Sequence, residues 1–271
     1  MRAMDTDLSG VPGWVDLGSQ FCLELSFGVL LALAFVPRAP VGPLFYRLMG
    51  STAVLPALLA GVVPVTSGAR ALSEPALVAT WLAVAAYPFY SGPLRGRRWG
   101  IALAWALVWS AAALVATVGR TGDLVGVQLA VASLSAASTG AVAGGVGLAM
   151  VLGHWYLTVP KLDVRHLVRL NRVTVGAMIA CLICVALTCL VFRAELASAR
   201  TPLLGPWGLF YLGTRVVVGL VMPLLFAWMT AGSLRYSNTR SATGILYAST
   251  VLVLIGTGVA VSLQSSYGVP L

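Results

Sequence analysis

Charge is scarce in this chain. Asp, Glu, Lys and Arg make up 9% of it, where a soluble domain carries about 25%. So little charge cannot cover the surface of a water-soluble globule, and it excludes a disordered polar chain as well. Histidine is scarcer still, with only His154 and His166. Two histidines cannot supply the ligands of a transmembrane pair of haems. A single haem b on His154 is the weaker cofactor expectation. His166 lies beyond Pro160, and Met150 sits one turn back on the same helix, so neither is placed as the opposite ligand. The four cysteines are Cys22, Cys181, Cys184 and Cys189. Cys181 and Cys184 have the spacing of a redox motif or half a zinc site, but no second pair follows. They read as small apolar residues, and no metal site is expected. Phosphate loops, HExxH and GxSxG are missing, so no catalytic residue is assigned. Nothing alternates as a barrel strand does. The acidic head with Asp5, Asp7 and Asp16, followed by a late apolar run, is not the pattern of a cleavable signal peptide.

What the chain has is apolar length. Hydrophobic residues make up 59% and the mean hydropathy is +0.94. The 271 residues therefore read as an all-α, polytopic integral membrane protein, a single membrane domain whose first partner is the lipid bilayer. About eight spans are expected, near 20–36, 48–66, 75–91, 99–118, 124–155, 173–193, 207–231 and 242–263. The loops between them are short.

The net charge of +9 would suggest nucleic acid in a soluble protein. Here the basic residues alternate with topology instead. Eleven of the 17 fall in every second loop: Arg38 and Arg47; Arg95, Arg97 and Arg98; Lys161, Arg165, Arg169 and Arg172; Arg235 and Arg240. Arg2, Arg70, Arg120, Arg193 and Arg200 lie on the other side with most of the acids. By the positive-inside rule the first set is cytoplasmic and both termini lie outside, in a bacterial-type cytoplasmic (inner) membrane. Nucleic acid is not an expected partner.

The middle of the chain carries the densest signal. Ala136, Gly140, Ala143, Gly147, Met150 and His154 fall on one helical face. The small residues there, with the Gly140/Gly144 pair, predict close approach of another helix and place His154 toward the bundle interior. Trp155 and Tyr156 follow as an interfacial belt. Pro160 breaks the helix, and the stretch from Lys161 to Arg172 predicts a basic amphipathic segment at the membrane surface. His154, Trp155 and Tyr156 are candidates for a quinone or proton site. An interfacial histidine beside an aromatic anchor gives the same pattern.

Two charges fall within spans. Glu24 shares a face with Gln20 and Gly28. Arg215 shares one with Gly208, Tyr211, Gly219 and Met222, about 12 Å into its span at 1.5 Å per residue. An intramembrane arginine costs at least about 2.5 kcal/mol unless partnered. Glu24 and Arg215 are therefore candidates for an ion pair or a ligand clamp. Trp105 and Trp109, one turn apart, could flank a flat ligand but fit packing better.

Short matches between the halves suggest tandem units, 20–120 and 124–263. Val36-Pro37-Arg38 corresponds to Val159-Pro160-Lys161, and Gly92-Pro93-Leu94-Arg95 to Gly232-Ser233-Leu234-Arg235. Two parallel four-helix units with both ends outside resemble the layout of the polysulfide reductase membrane-subunit family. The resemblance is one of layout, and no residue is carried over from it. It implies a membrane subunit of a respiratory electron-transfer (oxidoreductase) complex, contributing a quinone pocket or anchoring peripheral subunits, with quinone as cofactor and other subunits as partners. Two other expectations stand beside it. One is a secondary transporter of a small anion, clamped by Arg215 with Glu24 or His154 as proton site. The other is a structural subunit without a ligand.

Overall fold

A computed structural model describes residues 13–37, 41–92, 94, 96–159, 162–199 and 201–271. Arg2, Asp5, Asp7, Arg38, Pro93, Arg95, Pro160, Lys161 and Arg200 lie outside the described residues. Everything regular among the described residues is helical, and seven helices are long and apolar enough to cross a membrane. They are α1 (Trp14–Ala34), α2 (Pro43–Thr66), α5 (Gly96–Gly122), α6 (Gly126–Thr158), α7 (Arg165–Val191), a composite helix over Pro206–Arg235, and α11 (Thr239–Tyr267). The chain is a polytopic all-α membrane protein. Large apolar side chains such as Leu55, Ile101, Val108, Ile183 and Trp228 stand on its outside. In lipid such a surface carries no penalty.

The expected third span is shorter than its neighbours. It runs as α3 (Pro75–Ala85) and, after a break at Ala86, one turn α4 (Tyr87–Tyr90). Pro88 is the cause, since it has no N–H to return to the preceding turn. The composite helix is also interrupted. It consists of α9 (Pro206–Gly213), a π-helical segment Thr214–Val221, and α10 (Met222–Arg235). Where the π segment ends, the Met222 N–H reaches back to the Val217 carbonyl, five residues away. A short α8 (Arg193–Ser198) leads from α7 toward this helix.

One expectation about the centre is corrected. The basic stretch from Arg165 to Arg172 is not a separate surface helix. It forms the first two turns of α7, which continues unbroken to Val191. Nothing between Arg165 and Val191 breaks a helix, so the charged end and the apolar span wind as one. Asp163 precedes that helix. It accepts from the Arg165 amide at 2.9 Å and pairs with the Arg165 guanidinium at 2.6 Å. The Arg165 hydrogen bonds hold the Asp163 carboxyl below its ordinary range.

α6 is the hub. It has 33 residues, about 50 Å at 1.5 Å per residue, longer than a bilayer core. It packs against α1, α5, α7 and α11. Glycine makes this possible. A Cβ on Gly140 would overlap the Glu24 backbone, and one on Gly144 would overlap the backbone of Gly28 and Val29. The expected glycine pair thus straddles Gly28 of α1, and the two backbones touch. Further along, Gly145 faces Thr174 of α7 and Gly153 faces Thr243 of α11.

Contacts repeat in order. In the first half, α1 packs on α2 and α5, while α3 packs on α2 and α5. In the second, α6 packs on α7 and α11, while α10 packs on α7 and α11. The first helices of the two halves, α1 and α6, make the most extensive contact in the molecule. The interrupted helix is the third in each half.

Candidate functional site

At one end of α6 the sequence places His154, Trp155 and Tyr156 in a row. On a helix, three consecutive side chains point about 100° apart, and each goes its own way. Trp155 donates its indole N–H to the Val41 carbonyl at 3.2 Å and packs edge-on against Phe45. Tyr156 is buried and its hydroxyl bonds to the Asp163 carbonyl. These two tie α6 to the start of α2 and to the turn before α7. They act as anchors.

His154 is exposed, which corrects the expectation that it points inward. The physical reason lies next door. Gly153 takes the position against Thr243 of α11, so the following residue is turned outward. Its Nδ1 lies 3.4 Å from the Tyr247 hydroxyl of α11. Tyr247 is the partner that the sequence did not assign. The two side chains sit on the outer surface of the helices. His166, on the first turn of α7, is half-buried. The four residues do not converge on a pocket.

The second candidate region lies toward the other end. Arg215 is 1% exposed, the largest of the fully buried side chains. It sits on the π-helical segment. Its Nη2 donates to Thr139 Oγ1 of α6 at 2.8 Å and to Cys181 Sγ of α7 at 3.2 Å. Its Nε donates to the main-chain oxygen of Leu271 at 3.2 Å. Among the described residues Nη1 has no acceptor, and it lies beside Gly219. Gly219 and Gly256 bring their Cα atoms together, which fixes the π segment against α11.

Glu24 is 5% exposed. Its carboxylate accepts from Gln20 Nε2 at 2.9 Å. Gln20 and Gln264 exchange two amide hydrogen bonds at 2.9 and 2.5 Å, joining α1 to α11. The structure brings Glu24 and Arg215 to two adjacent residues of α6. Gly140 abuts the Glu24 backbone, and Thr139 bonds Arg215. It does not join them. Among the described residues the ion pairs are Arg70–Asp16, Arg120–Glu74 and Arg165–Asp163.

Polar atoms extend this region toward the end where α6 begins and α7 finishes. Ser135 lies one turn before Thr139, and Thr188 two turns after Cys181. Both hydroxyls are buried without a partner among the described residues. Nearby, a cavity of about 270 Å³ opens between α9 and α11, lined by Trp207, Gly208, Tyr211, Ser262, Ser266 and Tyr267 among others. Tyr211 is one turn before Arg215 on the same helix. Cys181 is the soft partner of Arg215, and among the described residues there is no group of three or more His, Cys, Asp and Glu that could hold a metal ion. Trp105 is exposed and donates its indole N–H to the Leu82 carbonyl at 3.1 Å.

No family model, no curated protein and no solved structure matches this chain.

Proposed function

We propose that the chain is a secondary transporter of a small anion, built from two parallel four-helix units, with Arg215 as the anion clamp. The observation that carries this reading is Arg215 itself, a fully buried guanidinium whose Nη1 has no acceptor among the described residues, on an interrupted span. Ionisable groups inside a membrane protein mark substrate and proton pathways more often than structural needs. π segments within helices concentrate at functional sites. Transporters of tandem repeats place their sites at discontinuous helices in corresponding positions of both halves. Here the third helix of each half is the interrupted one, at Ala86 and at Thr214–Val221. The buried Glu24 carboxyl supplies the proton-exchanging group on the opposite side of α6. In the orientation set by the basic loops, both termini and the Arg215 end face outward across a cytoplasmic membrane.

The test is reconstitution in liposomes holding a pH-sensitive dye, challenged with acetate, phosphate, sulfate and chloride. The expected result is proton movement coupled to one of these anions, lost in Arg215→Lys and Glu24→Gln. Proton movement no faster than in protein-free liposomes, for all four anions, would discard the transporter.

One observation favours a second reading, a quinone-binding subunit of a membrane redox complex. His154 and Tyr247 present a hydrogen-bonding pair on the outer surface of the helices, where a lipid-soluble quinone arrives from the bilayer. A quinone carbonyl accepts from such donors. The test is a native purification with identification of co-purifying subunits and quinone, followed by quinol-dependent turnover. His154→Ala is expected to leave the assembly intact and slow turnover at least tenfold. A protein that purifies alone, without quinone or haem bands, removes this reading.

A further inference from the structure

The outward side of α10 ends in a charge that no other side chain uses. Pro223, Ala227, Thr230 and Leu234 form the buried face of this helix. Trp228, Gly232 and Arg235 follow the same helical spacing on a face turned away from it. Trp228 is 71% exposed and Met229 43%, and Arg235 is exposed in the last turn. Between Trp228 and Arg235 the small residues Ala231 and Gly232 leave a hollow. A cavity of about 130 Å³ lies there, lined by Trp228, Met229, Ala231, Gly232 and Arg235. A Cβ on Gly232 would meet nothing within 4 Å, so the hollow is open to the helix's surroundings.

Arg235 is not needed by its own turn. The last carbonyls of α10 are met by main-chain N–H groups, Ser233 by those of Tyr236 and Asn238, and Leu234 by that of Ser237. Among the described residues the Arg235 guanidinium has no ion pair and no hydrogen bond. The same holds for Arg240, exposed in the first turn of α11. Among the described residues of the basic loops at this end, the one acid is Asp163, and Arg165 already holds it. The anion that complements Arg235 therefore comes from outside the chain.

We propose that this hollow binds an anionic phospholipid, with its phosphodiester on Arg235 and the upper part of one acyl chain along Gly232, against Trp228 and Met229. A guanidinium offers its N–H donors in a fork that matches two phosphate oxygens. Along the axis Arg235 stands about 10 Å beyond Trp228, at 1.5 Å per residue. Charge and apolar contact are thus stacked in the order in which a leaflet stacks headgroup and chain. A soluble anion would leave the apolar floor uncovered, and a zwitterionic lipid would bring no net charge to the guanidinium. By the positive-inside rule the leaflet is the cytoplasmic one, where anionic lipids attract basic side chains near the surface. The site is independent of the anion-clamp and quinone readings.

The experiment is native mass spectrometry of the purified full chain in a neutral detergent, titrated with phosphatidylglycerol, phosphatidylcholine and, as a soluble headgroup, glycerol 3-phosphate. Wild-type protein is compared with Arg235→Gln, with Gly232→Leu, which keeps the charge and fills the hollow, and with Arg97→Gln, an exposed arginine in the first turn of α5 at the same end. The expected result is one phosphatidylglycerol retained in preference to phosphatidylcholine. Its affinity falls about fivefold in Arg235→Gln, the worth of one basic side chain at an anionic surface. It falls by a similar factor in Gly232→Leu and is unchanged in Arg97→Gln. No preference for phosphatidylglycerol, or an equal loss in Arg97→Gln, overturns the site in favour of general attraction to lipid. Unchanged affinity in Gly232→Leu overturns the hollow as the seat of the chain. Glycerol 3-phosphate that binds as tightly as the lipid assigns Arg235 to a soluble phosphate and overturns the proposal. So does a dimer that carries no lipid and is lost in Gly232→Leu, which would give the hollow to a second copy of the chain.

Discussion

At the scale of single residues, the two buried charges form no direct pair, because each takes its hydrogen bonds from different neighbours, although Glu24 still feels the Arg215 charge. Had Glu24 and Arg215 been paired, neutralising the carboxyl would strand a buried cation, at about 3–5 kcal/mol. Instead Glu24 takes a hydrogen bond from Gln20, and Arg215 leans on Thr139, Cys181 and Leu271. Glu24→Gln keeps an oxygen to accept from Gln20 and loses the charge assistance of that bond and a longer-range attraction to Arg215. The expected cost is about 1 kcal/mol, measured by denaturant unfolding in detergent, and a loss above about 3 kcal/mol would mean that the pairing is real after all. The need for burial and partners at residues 24 and 215 was legible, since an ion within an apolar run has few alternatives. The partners were not. Thr139, Cys181 and Leu271 are ordinary in sequence, and only the crossing of α6, α7 and the returning tail brings them to one guanidinium. His154 failed in the opposite way. Its spacing with Gly140 and Gly147 put it on the small-residue face, but that rule assumes the neighbouring helix follows the face to its end. Gly153 receives α11 instead, and His154 is turned out. His154→Ala should therefore shift stability by less than about 0.5 kcal/mol, as for any exposed side chain, in the same unfolding assay. A larger loss would assign it a structural partner.

At the scale of elements, α6 shows what small residues do in lipid. With no hydrophobic drive between helices, close backbone contact supplies the attraction. Gly144→Val would force its Cβ into the backbone of Gly28 and Val29. Backbone cannot rotate aside as a side chain does, so α1 and α6 must separate. The expected cost is about 3 kcal/mol, the upper end for overpacking. Gly147 lies one turn from Gly144 on α6, yet a Cβ there meets nothing within 4 Å. Gly147→Ala is expected to be neutral, or to stabilise by up to about 1 kcal/mol through helix propensity. Equal effects of the two substitutions on thermal unfolding would mean that the α1–α6 contact is not set by glycine. The glycine pair was readable because its spacing is a helical one. The π segment over Thr214–Val221 was not, since no proline or polar cluster opens it. Pro223 lies just beyond its end, and the wider turns place Arg215 between α6 and α7 while Gly219 meets Gly256.

At the scale of the whole molecule, the apolar runs made the membrane class legible, while of about eight expected spans seven are long and apolar enough to cross and the third, over Pro75–Tyr90, is shorter. The order of packing was not legible, because short loops say which helices can be neighbours and not which are. The contacts repeat in both halves and meet across α1 and α6, which makes the boundary near Asp123 a natural place to divide the chain. The turn there is tight, with Asp123 at a positive φ of 48° and the Leu124 N–H bonded to the Gly119 carbonyl. It lies between two long helices and carries no residue of either candidate site. If each half is a unit, fragments 1–123 and 124–271 expressed together should insert separately and associate through α1 and α6. The expected outcome is co-purification of the untagged fragment with the tagged one in mild detergent, lost when the second fragment carries Gly144→Val and kept with Gly147→Ala. Loss of association in all three would mean that the halves depend on a continuous chain. Association that survives Gly144→Val would place the joining contacts elsewhere, in α5 against α6 or α1 against α11, which also touch. The same fragments divide the two buried charges. Arg215, Thr139, Cys181 and the returning tail all belong to the second fragment, and so do His154 and Tyr247. Glu24 and Gln20 belong to the first. If Arg215 clamps an anion, binding should therefore remain measurable on the second fragment's residues only when the first is present to close α6 from the α1 side.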